Sequence, residues 1–450
     1  MRRTDGTGHQ ACSALSETPR ISVMNHSGKV DQDDIMRARN VLLASGRRTA
    51  REEVDAYRVL AQVSPASYLP RLVKALQHLS YDSSSGRPHP ASLALCEEAV
   101  AAARAVDPAD PARADLLYGA LDTCQRELFT VGRRTEGLAL RAEMLAIGRA
   151  QAELSRNPAV RGLRDWAAGL SEEGRHAEAA DALTEWVAAV LPGGPAGGGL
   201  AWSLLEWIGA LDDAGRSDEA LAAFESLVGM MGAEAADDRG WMTCHLYCLI
   251  GYAQMLDTYG RGEKAVAVRQ EALALLTELA ATGERTSWSD YGASYWAVLL
   301  SLSGADSERS TTGGPRPPSG ATPMEWSPDV KRRYFDSRVT LREEVDTLAP
   351  RAIEDPDQHL AELVRLHRVL TVRSAVYWEH RTHLFAERVR SLFDDGVGLA
   401  RRLSQHRPAD GTPTLAKVLM DRSTFHTAAR EFGPALDDFR EALSCLGEAD

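Results

Sequence analysis

No run of about 18 consecutive apolar residues occurs anywhere in the 450-residue chain, so the sequence predicts no membrane-spanning helix. The first 30 residues mix Arg, Gly, Ser, Thr and His without an apolar segment, which excludes a secretory signal. They read as a disordered tail over 1–30, with Met24 a second candidate for the start of translation. Cysteine is sparse and scattered (Cys12, Cys96, Cys124, Cys244, Cys248, Cys445), which excludes a disulfide framework and suits a reducing, cytoplasmic setting. Positive charge is in deficit: 51 Lys and Arg against 64 Asp and Glu leave a formal charge of −13. General nucleic-acid binding needs a basic surface to release counterions, so it is not expected. Aromatic residues make up only 6% of the chain. The core must then be built largely from Ala and Leu, which lose little side-chain freedom in a helix.

Signatures of chemistry are also missing. The glycine-rich stretch Leu191–Leu200 lacks the Gly-Lys-Ser/Thr ending that cradles phosphate and reads as a connector. Cys244 and Cys248, with His245 between them, stand at i, i+4 on one helix. No second ligand pair follows, so they read as core thiols. His380, His383 and Glu387 share a helical face, but the His spacing is i, i+3 rather than the i, i+4 of a zinc helix. The arginines between 362 and 407, among them Arg365, Arg368, Arg373, Arg381, Arg388, Arg390, Arg401 and Arg402, alternate with acids. They read as ion-paired helix faces or, second, as a docking patch. No catalytic triad, kinase signature or dinucleotide fingerprint is present, and neither an enzyme nor a cofactor is expected.

What is there is a phrase that returns. Glycines followed by arginine stand at 46, 86, 132, 174, 215 and 260, at intervals of 40, 46, 42, 41 and 45. A helix that must reverse within two or three residues ends at least cost on a left-handed glycine. Around Gly215 the pattern is clearest: Leu204, Trp207, Ile208 and Leu211 precede it, and Ala220, Phe224 and Leu227 follow. Such i, i+3, i+4, i+7 spacing gives each helix one apolar stripe, and two stripes joined by a tight turn make an antiparallel hairpin.

Counted from its glycine, the pattern resembles the tetratricopeptide repeat (TPR), with small or apolar residues at −11, −8, −7, −4, +5 and +9. Gly174 matches through Leu163, Trp166, Ala167, Leu170, Ala179 and Leu183. Gly260 matches through Leu249, Tyr252, Ala253, Leu256 and Ala265, but Arg269 stands at the last position. Gly132 has Gly137 and Arg141 at its last two positions. Phe432, Ala435, Phe439 and Ala442 make a further copy in which Arg430 replaces the glycine. The resemblance covers roughly 31–447 and implies an all-α, right-handed solenoid of about eight or nine long-helix hairpins.

Gly304 is expected to open another hairpin. Instead the chain runs into Pro315, Pro317, Pro318 and Pro323 among glycines and serines, so 305–328 reads as a flexible insertion. The expected organisation is a tail at 1–30, repeats over 31–304, the insertion, and C-terminal repeats over 329–450.

The resemblance further implies a concave groove that binds an extended peptide or a helix of a protein partner. Positions −13, −10, −6 and −3 from each glycine would line it. These are Asp122, Arg126 and Phe129, then Arg161 and Arg164, then Trp202 and Asp212. Tyr247, Gln254 and Asp257 follow, and Tyr291 and Ser294 complete the set. The chain is expected to be a peptide- or protein-binding scaffold. The alternatives are a sensor arm acting on a separate signalling or transcription protein, or a self-associating module.

Overall fold

The computed structural model describes residues 30–448 apart from 45, 47, 85–89, 192–197, 284–290, 310–313 and 379–384. The expected tail, the turn at Gly86, most of the 191–200 connector and the pair His380 and His383 therefore lie outside the described residues. Within them the regular elements are all helices, and up to residue 282, and again from 328 onward, each helix packs on the next in the chain. The hairpins are α1 (Gln32–Leu43) with α2 (Ala50–Val63), α3 (Pro65–Ser84) with α4 (Pro90–Arg104), and α5 (Arg113–Thr130) with α6 (Arg134–Ser155). Then come α7 (Leu163–Glu172) with α8 (His176–Val190), α9 (Gly198–Asp213) with α10 (Ser217–Asp237), and α11 (Met242–Thr258) with α12 (Gly262–Thr282). The stripes read from the sequence face inward: Leu204, Ile208 and Leu211 of α9 and Ala220, Phe224 and Leu227 of α10 are all buried.

The turns explain the recurring phrase. Gly132, Gly174, Gly215 and Gly260 all have φ between 70° and 82°. In each turn the N–H of the following arginine reaches back to a carbonyl of the last helical turn: Arg133 to Leu128, Arg175 to Leu170, Arg216 to Leu211 and Arg261 to Leu256. This is the hydrogen-bond pattern that closes a helix on a left-handed residue. Arg430, with φ 61°, closes the fifth such turn in the same way, Glu431 N–H donating to His426. The arginine side chain then clasps a glutamate three residues on, as in Arg133–Glu136, Arg175–Glu178 and Arg216–Glu219. It also reaches an acid of the previous hairpin, as in Arg133–Glu97, Arg216–Asp181 and Arg261–Asp218. These pairs are largely exposed and contribute little energy singly, but one or the other recurs at four successive turns.

After α12 the stacking changes. Helix α13 (Tyr291–Arg309) does not turn at Gly304, which faces the Val372 side chain where α13 packs on α15. It is followed by α14 (Pro328–Glu354), α15 (Pro356–Trp378), α16 (Phe385–His406), α17 (Pro408–Ala428) and α18 (Phe432–Leu446). These C-terminal helices fold back: α15 and α17 pack on α13, α17 reaches α11, and α18 lies against α12. The last contact is fastened by Arg269, whose Nε donates to Glu448 Oε2 at 2.7 Å, and by Gln270 donating to the Glu448 carbonyl. The solenoid thus closes on itself, and no helix among the described residues is long and apolar enough to cross a membrane.

The closure buries a histidine. His367 on α15 is 5% exposed, with Nδ1 3.5 Å from Thr371 Oγ1. Burial pulls its pKa below the ordinary 6.5, against the weaker pull of Asp395. As pH falls through about 6.5 the unfolded chain takes up the proton first, so stability declines on acidification. The melting temperature is expected to drop between pH 7.5 and 5.5, and less steeply in His367→Gln. Parallel slopes for the two proteins would rule out this histidine as the cause.

Candidate functional site

The inner row of helices α5, α7 and α9 does not face open solvent. Residues 314–327, expected from the sequence to belong to a flexible insertion, run along α7 and α9 as a packed, non-helical strap. Turns fall at 319–320 and 323–325, and the helix that follows continues onto α5. The expected insertion also differs at its start, since α13 continues to Arg309. Two glycines allow the strap to lie backbone to backbone on α9. A Cβ on Gly209 would sit 2.2 Å from the Ser319 carbonyl oxygen, and one on Gly320 (φ 75°) would sit 2.0 Å from that of Leu205. Neither separation is tolerated between real atoms, so both positions require glycine.

Polar anchors hold the rest. Ser327 is fully buried: its N–H donates to Glu172 Oε1 at 2.7 Å and its Oγ accepts from Arg141 Nη2 at 3.1 Å. Arg141 also donates to Gln125 Oε1 and the Asp165 carbonyl, with its guanidinium 4.6 Å over the Phe129 ring. Burial pulls the pKa of Arg141 down, opposed by Glu172 and Asp165. Arg164 bridges Glu206 on α9, at 2.9 Å from Nε, and Glu325 on the strap at 3.3 Å. Burial pushes the Glu206 and Asp165 carboxyls up, with Arg164 and Arg141 respectively drawing them back. Beyond the strap, Arg134 Nη1 is 2.8 Å from both oxygens of Asp329 at the start of α14, and Arg332 donates to the Thr130 carbonyl. Trp326 turns its indole N–H onto the Ala321 carbonyl and lies against Tyr334 and Phe335.

Of the residues expected to line the groove, the structure brings Arg164 to the strap directly and Phe129 through Arg141. The others are distributed. Asp122 accepts from Gln125 and Arg126, the latter exposed. Arg161 stacks 3.5 Å over Tyr118 and pairs with Asp115. Trp202 meets Tyr295 edge-on at 5.3 Å, joining α9 to α13. Asp212 accepts from the Tyr259 hydroxyl, and Asp257 pairs with Arg269. Tyr247 is buried, while Gln254 and Ser294 are half-buried. The side chain of Tyr291 lies outside the described residues.

What the sequence reasoning passed over were Arg134, Arg141, Glu172, Glu206 and Gly209. A signal existed. Arg141 and Arg269 are the two places where the repeat pattern puts arginine instead of a large apolar residue, and each one grips another part of the chain.

The other motifs find structural partners. Cys244 and Cys248 are buried, Cys248 Sγ lies 3.1 Å from the Tyr295 hydroxyl, and burial pushes its thiol pKa up. No group of three or more His, Cys, Asp or Glu placed to hold a metal ion occurs among the described residues. The C-terminal arginines pair internally: Arg365 with Glu362, Arg368 with Asp421, Arg373 with Glu308, Arg390 with Glu431 and Arg401 with Glu441.

No family model and no curated protein matches the sequence. Among solved structures, the TPR domain of P58(IPK) is similar at 12% identity, over 84% of this chain and 96% of that one, with a TM-score of 0.20. The human IFIT1 dimer with m7Gppp-AAAA is similar at 11% identity, over 92% of this chain and 95% of that one, with a TM-score of 0.23. The hairpin architecture itself rests on the chain's own turns and packing.

Proposed function

We propose that the chain is a non-enzymatic, peptide-binding repeat scaffold whose groove over α7 and α9 takes a non-helical segment. The strap occupies that groove in the absence of a partner. The observation that carries this reading is the seating of residues 319–327. A turn at Ser319 and Gly320 sets its backbone on Gly209, an acid meets Arg164, and a serine is held by Arg141 and Glu172. Those are the contacts by which solenoid grooves read peptides: a close backbone approach with a few charge-assisted anchors. A partner suited to the groove carries a glycine, an acid five residues on and a serine two further, as Gly320, Glu325 and Ser327 do here. It must displace the strap, so its affinity is lowered by the cost of opening.

The test supplies the strap in trans. Residues 314–325 are replaced by a Gly-Ser linker of equal length, and a labelled peptide of that sequence is titrated in by fluorescence anisotropy. Saturable binding is expected in the linker variant, at least tenfold stronger than in wild type, where the site is filled. Adding Gly209→Val to the linker variant is expected to abolish it. A linker variant with wild-type circular dichroism that ignores the peptide at millimolar concentration would overturn the reading.

A further inference from the structure

A cleft of about 340 Å³ opens beside the strap, between it and helices α8, α13, α14 and α15. That volume is in the range of small-molecule sites, roughly 300–1,000 Å³. One wall is apolar and stiff, formed by Pro315, Pro317, Pro318 and Trp326. Charged side chains line it too, and their balance is positive: Arg316, Arg333 and Arg373 against Asp213 and Glu308.

These charges are not equally committed. Arg373 is held in place, its Nε donating to Glu308 at 2.8 Å, with Ser337 as a second partner and the Tyr334 ring beneath it. Glu308 is therefore spent on Arg373. Arg333 is different. Its ion pair is a loose one, 3.9 Å to Asp329, and both oxygens of Asp329 are already taken at 2.8 Å by Arg134. Its guanidinium is half-exposed on the cleft wall, able to meet a carboxylate or phosphate with two parallel donors. His176, the first residue of α8, also lines the cleft, and its buried Nδ1 has no hydrogen-bond partner among the described residues.

We propose that this cleft is a binding site for a small organic anion, one whose phosphate or carboxylate meets Arg333 and whose compact apolar body lies on the proline and tryptophan wall. An anion is favoured over a cation by the charge balance, since walls of low dielectric focus the field of the arginines into the cleft. An organic body is favoured over a bare ion because three proline rings and an indole, its N–H already bonded to the Ala321 carbonyl, offer apolar contact. The inference stands apart from the groove reading, because the cleft exists with the strap in place.

The experiment is calorimetric titration of the full wild-type chain with phenyl phosphate, benzoate, inorganic phosphate and benzylamine. Phenyl phosphate and benzoate are expected to bind, inorganic phosphate at least tenfold more weakly, and benzylamine not at all. Arg333→Gln should weaken phenyl phosphate about tenfold. Ala305→Phe, which fills the cleft from α13, should abolish binding while circular dichroism stays unchanged. No heat with phenyl phosphate or benzoate at 10 mM would overturn the proposal. So would equal binding of inorganic phosphate, binding of benzylamine, or binding undiminished in a folded Ala305→Phe protein. Should Ala305→Phe unfold, Ser301→Leu at the same wall replaces it, with the same two outcomes.

Discussion

Arg368→Ala is expected to lower the unfolding free energy by about 3–5 kcal/mol, the usual cost of stranding one member of a buried ion pair. Arg368 and Asp421 are 8% and 6% exposed, and the guanidinium grips the carboxylate at 2.6 and 3.2 Å. The same guanidinium donates to the carbonyl and hydroxyl of Ser303, so one side chain joins α15 to both α13 and α17. Its Nη1 has no partner among the described residues, a sign that the pair is not perfectly solvated by the protein. Truncation leaves the Asp421 carboxylate buried without its partner. Removing both charges is expected to be far milder: Arg368→Met with Asp421→Leu should recover most of the loss, because no uncompensated charge remains. Urea denaturation followed by tryptophan fluorescence reads both variants. A single variant losing less than about 1 kcal/mol would show that water reaches this pair and that the closure does not depend on it.

Trp296→Ala is expected to cost about as much, 3–5 kcal/mol, for a different reason. Trp296 on α13 is 1% exposed and is among the largest fully buried side chains of the fold. Its ring lies 6.1 Å from Phe393 of α16 and 6.2 Å from Phe425 of α17, which stack on each other at 4.6 Å. Its indole N–H donates to Thr424 Oγ1 at 2.9 Å. Alanine would leave a cavity where α13 meets α16 and α17, and three helices cannot all relax into it. Trp296→Phe keeps most of the apolar contact and loses the hydrogen bond. Thr424 still donates to the Asp421 carbonyl, so that variant should lose only about 1–2 kcal/mol. Equal losses for Phe and Ala would place the stabilisation in the hydrogen bond rather than in packing.

The hairpins were legible because they are local. A left-handed glycine, the arginine after it and apolar stripes at i, i+3, i+4 and i+7 are set by residues within about 15 positions of one another. The sequence by itself therefore determined an all-helical stack of hairpins with a period near 42, and even the odd turn at Arg430. It did not show that Gly304 serves a helix crossing rather than a turn. A glycine that takes a left-handed φ at a turn and one that lies within a continuing helix look the same in a linear pattern. Nor did it show that the proline-rich stretch lies in the groove. Pro315 to Pro323 exclude a helix, but only Gly209, over a hundred residues earlier, makes room for the turn at Ser319 and Gly320.

The groove residues show the same division. Spacing from the glycines identified positions that leave the hairpin's own stripe, without saying whether solvent, a partner or the chain itself would meet them. The tertiary structure decided that, by bringing Arg141 to Ser327, Arg164 to Glu325 and Arg269 to Glu448 across 160 to 190 residues. Such pairings depend on how far the superhelix has curved when the chain returns. That curvature sums small rotations at every stacked interface, and no single stretch of sequence encodes it.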